Sequence, residues 1–315
     1  MDLETQPLPS TAQSPWVLAL CCPECGGPLA ESQGGLFCAR DEAFFATLCG
    51  VHRLLGHERQ AELAAATAFY CRVRADEGFK HSSDLPRVPR GHVQAQVWRQ
   101  RARHFARFLD WLARERPQGQ SIVDIGAGCC WAAQRLAERG HSVAALDINL
   151  DPKDGLTALG DERGLGLGIE RIEADMEFLP LAAGCADVVL LNGALHYARC
   201  PQNVVAEARR VLKPGGAVVV LDSPVYRRSA DGEAMVKMKK KDFLSRYGYA
   251  PCRDAAAGYF TVTELSRLLE RSGFEVRILG WPSRLREMGR DLIEIFRHGR
   301  RTARFPMIVA RRRSA

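Results

Sequence analysis

The sequence of 315 residues contains no uninterrupted apolar run near the roughly 20 residues that a bilayer-crossing helix requires. We therefore predict no transmembrane span and expect no membrane partner. Residues 1–16, MDLETQPLPSTAQSPW, lack both the basic start and the apolar stretch of a secretion signal. They indicate a disordered leader on a cytoplasmic protein.

The signals of a disulfide framework are also lacking. The chain has 11 cysteines, but without an export signal they favour reduced thiols and a metal site over disulfides. The sequence has no internal repeat and no long low-complexity tract, and no pattern indicates an oligomeric state.

Acidic residues are scarce at the C-terminal end. The formal net charge is +7, and residues 281–315 hold ten arginines against three acids, which accounts for the whole excess. Such a tail could contact nucleic acid, but a solvated helix face and a frayed terminus explain it with fewer assumptions. RNA is therefore a possible but less favoured partner.

Composition divides the rest of the chain into three parts. Residues 17–56 are rich in Cys and Gly and predict a small β-rich module. Residues 57–115 carry apolar positions at helical spacing and predict a helical linker or lid. From 116 to 315, strand and helix patterns alternate, which indicates an α/β domain with a parallel sheet covered on both faces. We predict seven strands in this domain, and a short return into the last one allows an antiparallel edge.

A glycine-rich turn follows the first strand of this domain. Gly126 and Gly128 in "VDIGAG" can supply a tight turn and a close backbone approach to a nucleotide-like ligand. A dinucleotide-binding loop would place its third glycine where Trp131 stands. This difference disfavours NAD. Asp124 either organises the loop or contacts the ligand.

Two carboxylates follow the next two strands. Asp147 ends the second strand, where its carboxylate can accept both ribose hydroxyls. Asp175 follows the third strand and can accept from an adenine amine, while Met176 lies against the ring. The ligand then has an adenosine half and a short second part that needs no pyrophosphate, such as a methionine chain.

These residues make the chain from Gln120 onward resemble the class I S-adenosylmethionine-dependent methyltransferases. The motifs that carry the resemblance are "VDIGAG", "ALDIN", "EADMEFLP", "ADVVLLNGALHY" and "EARRVLKPGG". The family implies a Rossmann-like sheet of order 3-2-1-4-5-7-6 with an antiparallel last strand, and S-adenosylmethionine at the carboxyl ends of the strands. Cys130 departs from the family pattern, because it stands in place of a third glycine. The cofactor-binding residues expected are Asp124, Gly126, Ala127, Gly128, Asp147, Ile148, Asp175, Met176 and Asn192.

The residues that contact the methyl acceptor are expected at the same edge of the sheet. Methyl transfer from a sulfonium needs alignment above all, and a base only for a hydroxyl, phenol or acidic carbon. His196 in "LHY" is the candidate base, or alternatively a pocket wall. The expected substrate-pocket residues are Tyr70, Arg74, Tyr197, Tyr226 and Tyr247.

A cysteine knuckle lies near the N-terminus. Cys22, Cys25 and Cys38 resemble the ligands of zinc-ribbon-like domains that are fused to some bacterial and tRNA methyltransferases. In that pattern the fourth ligand falls at Asp41, with Cys49 and His52 as alternatives. One structural zinc is expected there, the alternative being a degenerate ribbon held by apolar residues.

Three functions remain open at this point. The chain is expected to methylate a small-molecule acceptor, because "LHY" is present and an Asn-Pro-Pro-Tyr motif for nucleobase amines is not. An rRNA or tRNA methyltransferase is the first alternative, supported by the arginine-rich tail. A non-catalytic protein of the same fold that acts through partner binding is the second.

Overall fold

The computed structural model describes residues 18–250, 258–281, 284–298 and 301–313. The leader predicted over 1–16 lies outside them. The α/β class is confirmed. The strands are β1 (Ala30–Ser32), β2 (Gly35–Cys38), β3 (Ala43–Leu48), β4 (Val51–Arg53), β5 (Ser121–Ile125), β6 (Ser142–Asp147), β7 (Ile169–Glu173), β8 (Ala186–Asn192), β9 (Leu212–Leu221), β10 (Val225–Tyr226), β11 (Phe260–Thr261), β12 (Phe274–Leu279) and β13 (Met307–Arg312). The helices are α1 (His57–Asp76), α2 (Ala95–Glu115), α3 (Trp131–Ala137), α4 (Asp161–Gly166), α5 (Pro201–Val211), α6 (Ser229–Tyr247), α7 (Val262–Arg271) and α8 (Arg284–His298).

Eleven strands form one mixed sheet in the order β1-β2-β3-β4-β7-β6-β5-β8-β9-β13-β12. Strands β7, β6, β5, β8 and β9 are parallel, and β13 is antiparallel to both β9 and β12. Residues 116–315 contribute seven of these strands, in the order β7-β6-β5-β8-β9-β13-β12, and the four strands of the N-terminal module extend the sheet beyond the seven expected. The N-terminal module continues the sheet, because Val51 to Arg53 of β4 pairs in parallel with Arg171 to Glu173 of β7. This pairing covers the open backbone groups that an edge strand would expose.

Helices cover both faces of the sheet. Helix α2 buries Trp98, Phe105, Phe108 and Leu112, whose spacing places them on one side of the helix. On the opposite face, α5 and α7 bury their own apolar stripes. The capping box expected at the start of α7 is confirmed: Thr261 accepts from the Glu264 N–H, and the Glu264 side chain accepts from the Thr261 N–H.

The carboxyl edge of the parallel strands is crossed by α1. Near its start, Arg59 forms an ion pair with Asp175, beyond the end of β7. Near its end, Arg74 forms an ion pair with Asp154, in the loop after β6. This helix therefore lies over the edge where the expected ligand residues meet. No helix among the described residues is long and apolar enough to cross a bilayer.

Candidate functional site

The turn after β5 depends on its two glycines. Gly126 has φ +73° and Gly128 has φ +53°, in the left-handed region that glycine adopts without strain. A Cβ atom at Gly126 would also collide with the Cβ of Ala194. The backbone N–H groups of Gly126 and Ala127 donate to the Leu146 carbonyl at 2.8 Å and 3.0 Å. The turn is therefore held against the end of β6.

Cys130 occupies the third left-handed position of this loop. It has φ +59° and immediately precedes α3, a conformation that costs a non-glycine residue about 1–2 kcal/mol. Burial raises the pKa of Cys130 well above its usual value and that of Cys129 to about 12. Both side chains therefore stay neutral and pack as small residues.

Asp147 joins the two loops at the carboxyl edge. Its Oδ2 accepts from the Gly128 N–H at 2.7 Å, and its Oδ1 accepts from the Asn149 N–H at 2.8 Å. Burial raises the pKa of Asp147, while these hydrogen bonds act in the opposite direction. A carboxylate offers about four acceptor positions, so it can accept two further donors from a ligand.

The Asp124 carboxylate is buried without compensation. Its side chain is almost fully buried, and neither oxygen has a hydrogen-bond partner among the described residues. Burial raises the pKa of Asp124 from 3.8 to about 7, and the neighbouring Asp147 carboxylate adds to the rise. The Ala133 backbone N–H opposes this rise without forming a hydrogen bond of normal geometry. A buried polar group of this kind carries a substantial cost unless a ligand satisfies it.

These residues share one cleft at the carboxyl edge of the sheet. Its lining includes eight residues expected from the sequence: Tyr70, Arg74, Asp124, Gly126, Ala127, Gly128, Asp147 and Asn192. The free volume is only about 50 Å³. A side of the cleft is formed by Tyr70 and Arg74 of α1, and the Arg74 guanidinium binds both oxygens of Asp154, at 2.6 Å and 3.1 Å. A nucleoside therefore requires these side chains to move.

Three other expected cofactor residues lie outside the cleft lining. The Asp175 carboxylate pairs with Arg59 and accepts from the Glu177 N–H at 3.0 Å. Met176 packs against the main core, and Ile148 is half-buried next to Asp147. An adenine contact at Asp175 therefore has to compete with Arg59.

The expected acceptor residues separate into two groups. His196 Nδ1 lies 3.3 Å from Ser223 Oγ, and the Tyr197 ring lies 5.7 Å from that of Tyr70. A cavity of about 330 Å³ lies beside His196 and extends to Tyr259 and Glu264.

The remaining two tyrosines line neither of these cavities. Tyr226 is buried against Tyr259 and Met235. Tyr247 packs on Phe69 of α1, with their ring centroids 5.4 Å apart.

Sequence reasoning missed several residues around the cleft. Trp98 and Arg101, one turn apart on α2, line it, as does Asp154. His104, one turn further, places Nδ1 at 2.6 Å from Asp222 Oδ1, while Asp222 Oδ2 is buried without a hydrogen bond to any described residue. Trp98, Arg101 and His104 lie three positions apart on α2. Because positions three apart share a helix face, this spacing could have predicted that the three side chains lie together.

Four N-terminal side chains converge on one point. The ligand atoms of Cys22, Cys25, Cys38 and Asp41 all lie within 4.8 Å of one another. The sulfurs of Cys25 and Cys38 are 3.6 Å apart, and Asp41 Oδ2 lies 3.1 Å from the Cys22 sulfur. The alternative ligands are not part of this cluster: Cys49 is exposed, and His52 bonds to Thr47 and Glu170.

The raised pKa of Asp124 predicts a specific dependence of stability on pH. The native state binds this proton more tightly than the unfolded chain, so the contribution to stability is present below about pH 4 and is lost as pH rises through about 7. Between pH 4 and pH 8, urea titrations should show the wild type losing up to about 4 kcal/mol relative to Asp124→Asn. The exposed control Asp242→Asn should follow the wild type, and parallel curves for Asp124→Asn would contradict the assignment.

Comparison with known proteins agrees with this geometry. The family described as "Methyltransferase domain" matches residues 123–220. The chain is 30% identical over 179 residues to a ubiquinone/menaquinone biosynthesis C-methyltransferase of Brucella anthropi, covering 53% of this chain and 68% of that relative. It is 37% identical over 125 residues to a dimethylglycine N-methyltransferase of Parasynechococcus marenigrum, covering 39% of this chain.

Coverage of other relatives is smaller. The chain spans 43% of that dimethylglycine enzyme and 60% of a malonyl-[acyl-carrier protein] O-methyltransferase of Geobacter sulfurreducens, about half of their length. Among solved structures, 1,6-didemethyltoxoflavin-N1-methyltransferase of Burkholderia thailandensis aligns with 80% of this chain and 90% of that chain, at 17% identity and a TM-score of 0.47. Because the family match spans the strands that form the cleft, and the Brucella relative is matched over 68% of its length, the chain belongs to the S-adenosylmethionine-dependent methyltransferase family.

Proposed function

We propose that this chain is an S-adenosylmethionine-dependent methyltransferase acting on a small-molecule acceptor. The observation that carries the proposal is the buried Asp124 carboxylate, which lines the cleft and has no hydrogen-bond partner among the described residues. A cationic ligand group would satisfy it, and the amino-acid end of S-adenosylmethionine carries an ammonium. The carboxylates that line the cleft therefore fit this cofactor.

Different residues hold different parts of the cofactor. Asp147 accepts hydrogen bonds from the ribose hydroxyls through its remaining acceptor positions. The Gly126–Gly128 turn would admit the methionine arm close to the backbone, and Asn192 also lines the cleft. Asp175 accepts from the adenine amine, which requires its ion pair with Arg59 to rearrange. Ile148 and Met176 contribute apolar contact to the nucleoside.

When bound, the cofactor supplies a methyl group on a sulfonium that is already activated. The task of the chain is then to orient the acceptor and exclude water. His196, beside the 330 Å³ cavity, is the proton acceptor if the acceptor is a hydroxyl or an acidic carbon. His104 is the alternative base, because its Nδ1 lies 2.6 Å from Asp222 Oδ1 and this contact fixes the orientation of its ring.

The small-molecule class is supported by the relatives and by the second cavity. The relatives are named for dimethylglycine and for quinone biosynthesis. The cavity of about 330 Å³ beside His196 has a size typical of small-ligand sites. Tyr70 of the cleft lining packs edge-on against Tyr197, the chain neighbour of His196, with their ring centroids 5.7 Å apart.

Labelled methyl transfer tests the proposed function. The wild type is incubated with methyl-labelled S-adenosylmethionine and a panel of small amines, phenols, quinols and carboxylic acids, or with total RNA. We expect label in a small molecule and none in RNA. Label in RNA would contradict the acceptor class, and the absence of both transfer and cofactor binding would leave a non-catalytic role.

The same assay separates the two histidines. His196→Ala should lower kcat by about a hundredfold with unchanged cofactor affinity, which is the scale of general base catalysis. His141→Ala, before β6 at the opposite edge of the sheet, is the matched control and should retain kcat. If His104→Ala loses turnover and His196→Ala does not, proton transfer belongs to His104.

We also propose one structural zinc held by Cys22, Cys25, Cys38 and Asp41. Tetrahedral zinc with Zn–S bonds of about 2.3 Å separates its thiolates by about 3.8 Å, and the Cys25 and Cys38 sulfurs are 3.6 Å apart. A metal also suits a module too small to bury a large core of its own.

Metal analysis of the purified protein tests the zinc proposal. We expect one zinc per chain, lost in Cys22→Ser or Cys38→Ser and accompanied by a lower melting temperature, because a structural metal contributes directly to folding. Cys49→Ser, at an exposed cysteine outside the cluster, should keep its zinc. If the wild type contains no metal and a chelator does not change its stability, the zinc proposal is contradicted. The module would then be a ribbon held together by apolar contacts.

A further inference from the structure

Helix α8 buries charged residues and exposes apolar ones, which is the reverse of an ordinary surface helix. Its acids Asp291 and Glu294 are each only 8% exposed. Its apolar residues Leu292, Ile293 and Phe296 are 69%, 54% and 93% exposed. Surface helices normally bury the apolar side and expose the charged one. The outward apolar face of α8 therefore requires an explanation.

Buried ion pairs hold the helix in this orientation. Arg304 places Nη2 at 2.7 Å from Asp291 and Nη1 at 3.1 Å from Glu294. Arg301 contacts Asp291 at 2.7 Å. Although burial acts to raise the pKa of Glu294, hydrogen bonds from Thr302, Arg290 and Arg304 lower it to about 2. Glu294 therefore stays ionised, and both acids face the protein, which turns the apolar residues outward.

The exposed face lies at the same edge of the sheet as the cofactor cleft. Helix α8 connects the end of β12 to the start of β13, where Leu279 pairs with Met307. The next residue, Ile308, pairs with Val220 near the carboxyl end of β9. Helix α6 also follows β9 and is linked to this region by Arg301 and Asp231, at 3.7 Å. It exposes Met238 and Leu244 beside the lysines at 237 and 239–241.

Positive charge beside this face comes from α6. The lysines at 237 and 239–241 are exposed, whereas Asp291 and Glu294 of α8 are paired with Arg301 and Arg304 within the protein. Apolar side chains surrounded by basic ones match an anionic bilayer, where the apolar groups enter the interface and the cations meet the lipid headgroups. A second copy would present the same positive charge, and RNA, although it could stack a base on Phe296, would leave Leu292 and Ile293 in water.

We propose that the outward face of α8, together with the basic surface of α6, docks on an anionic membrane surface. This departs from the sequence-based expectation of no membrane partner, because that expectation concerned spanning helices only. Docking would place the cleft against the bilayer, so that an acceptor dissolved in lipid can reach it. The acceptor part rests on the proposed methyltransferase function, whereas the docking itself does not.

Vesicle co-sedimentation of the full chain tests the docking. The probes are vesicles of phosphatidylcholine alone and of phosphatidylcholine mixed with phosphatidylglycerol. We expect binding to the mixed vesicles at least about tenfold tighter than to the neutral ones, and weaker binding at high salt, because the charges are exposed to solvent. Binding to neither, or equal binding to both, would overturn the proposal.

A matched pair of leucine variants locates the contact. Leu292→Ser should weaken binding to the mixed vesicles severalfold, and Leu292→Ser with Phe296→Ser about tenfold or more. Leu165→Ser is the control, because Leu165 is 75% exposed on α4, just before β7 at the opposite edge of the sheet. Equal losses at both sites, or none at α8, would contradict the assignment.

Further outcomes distinguish the bilayer from a second copy or RNA as the binding partner, and distinguish the docking proposal from the proposed function. Self-association or RNA retention that is abolished by the α8 variants, without vesicle binding, would overturn the bilayer as occupant. Calorimetry with S-adenosylmethionine runs in parallel. Cofactor binding without vesicle binding overturns only the docking, whereas vesicle binding without cofactor binding overturns only the proposed function.

Discussion

The carboxylate of Asp147 accepts one backbone N–H from the loop after β5 and one from the loop after β6, at 2.7 Å and 2.8 Å. These two hydrogen bonds hold the Gly128 turn and the Asn149 loop at a fixed separation. Both loops contribute residues to the lining of the cleft. Asp124 then has a buried carboxylate without a hydrogen-bond partner among the described residues, and a ligand cation bound there would recover the stability lost by its ionised form.

The N-terminal module takes part in the same site. Its strand β4 extends the sheet beside β7, and α1 then crosses the carboxyl edge between the Arg59–Asp175 and Arg74–Asp154 ion pairs. Arg74 and Asp154 line the cleft, so entry of a ligand would be coupled to the position of α1 through this pair. A metal in the cysteine cluster would act on this coupling indirectly, by stabilising the strands from which α1 begins.

Local patterns explain which parts could be predicted. The alternation of strands and helices, the glycine turn and Asp147 follow from residues close together in the chain. The β4–β7 pairing could not be predicted, because β4 has only three residues and no pattern names a partner so distant. Arg59–Asp175 and His104–Asp222 are separated by 116 and 118 residues, and a lone arginine or histidine on a helix has many possible partners. The orientation of α8 could not be predicted either. The spacing of its apolar residues suggests an ordinary buried stripe, and the ion pairs that reverse this orientation depend on Arg301 and Arg304, which follow the helix.

Calorimetric titration with S-adenosylhomocysteine, comparing the wild type with Asp147→Ala, tests the central claim most directly. Asp242→Ala, at an exposed acid of α6, is the matched control. The wild type and the control should bind equally, and Asp147→Ala should bind about tenfold or more weakly, because two charge-assisted hydrogen bonds are lost. Equal affinity in all three proteins, or no binding by the wild type, would contradict the claim.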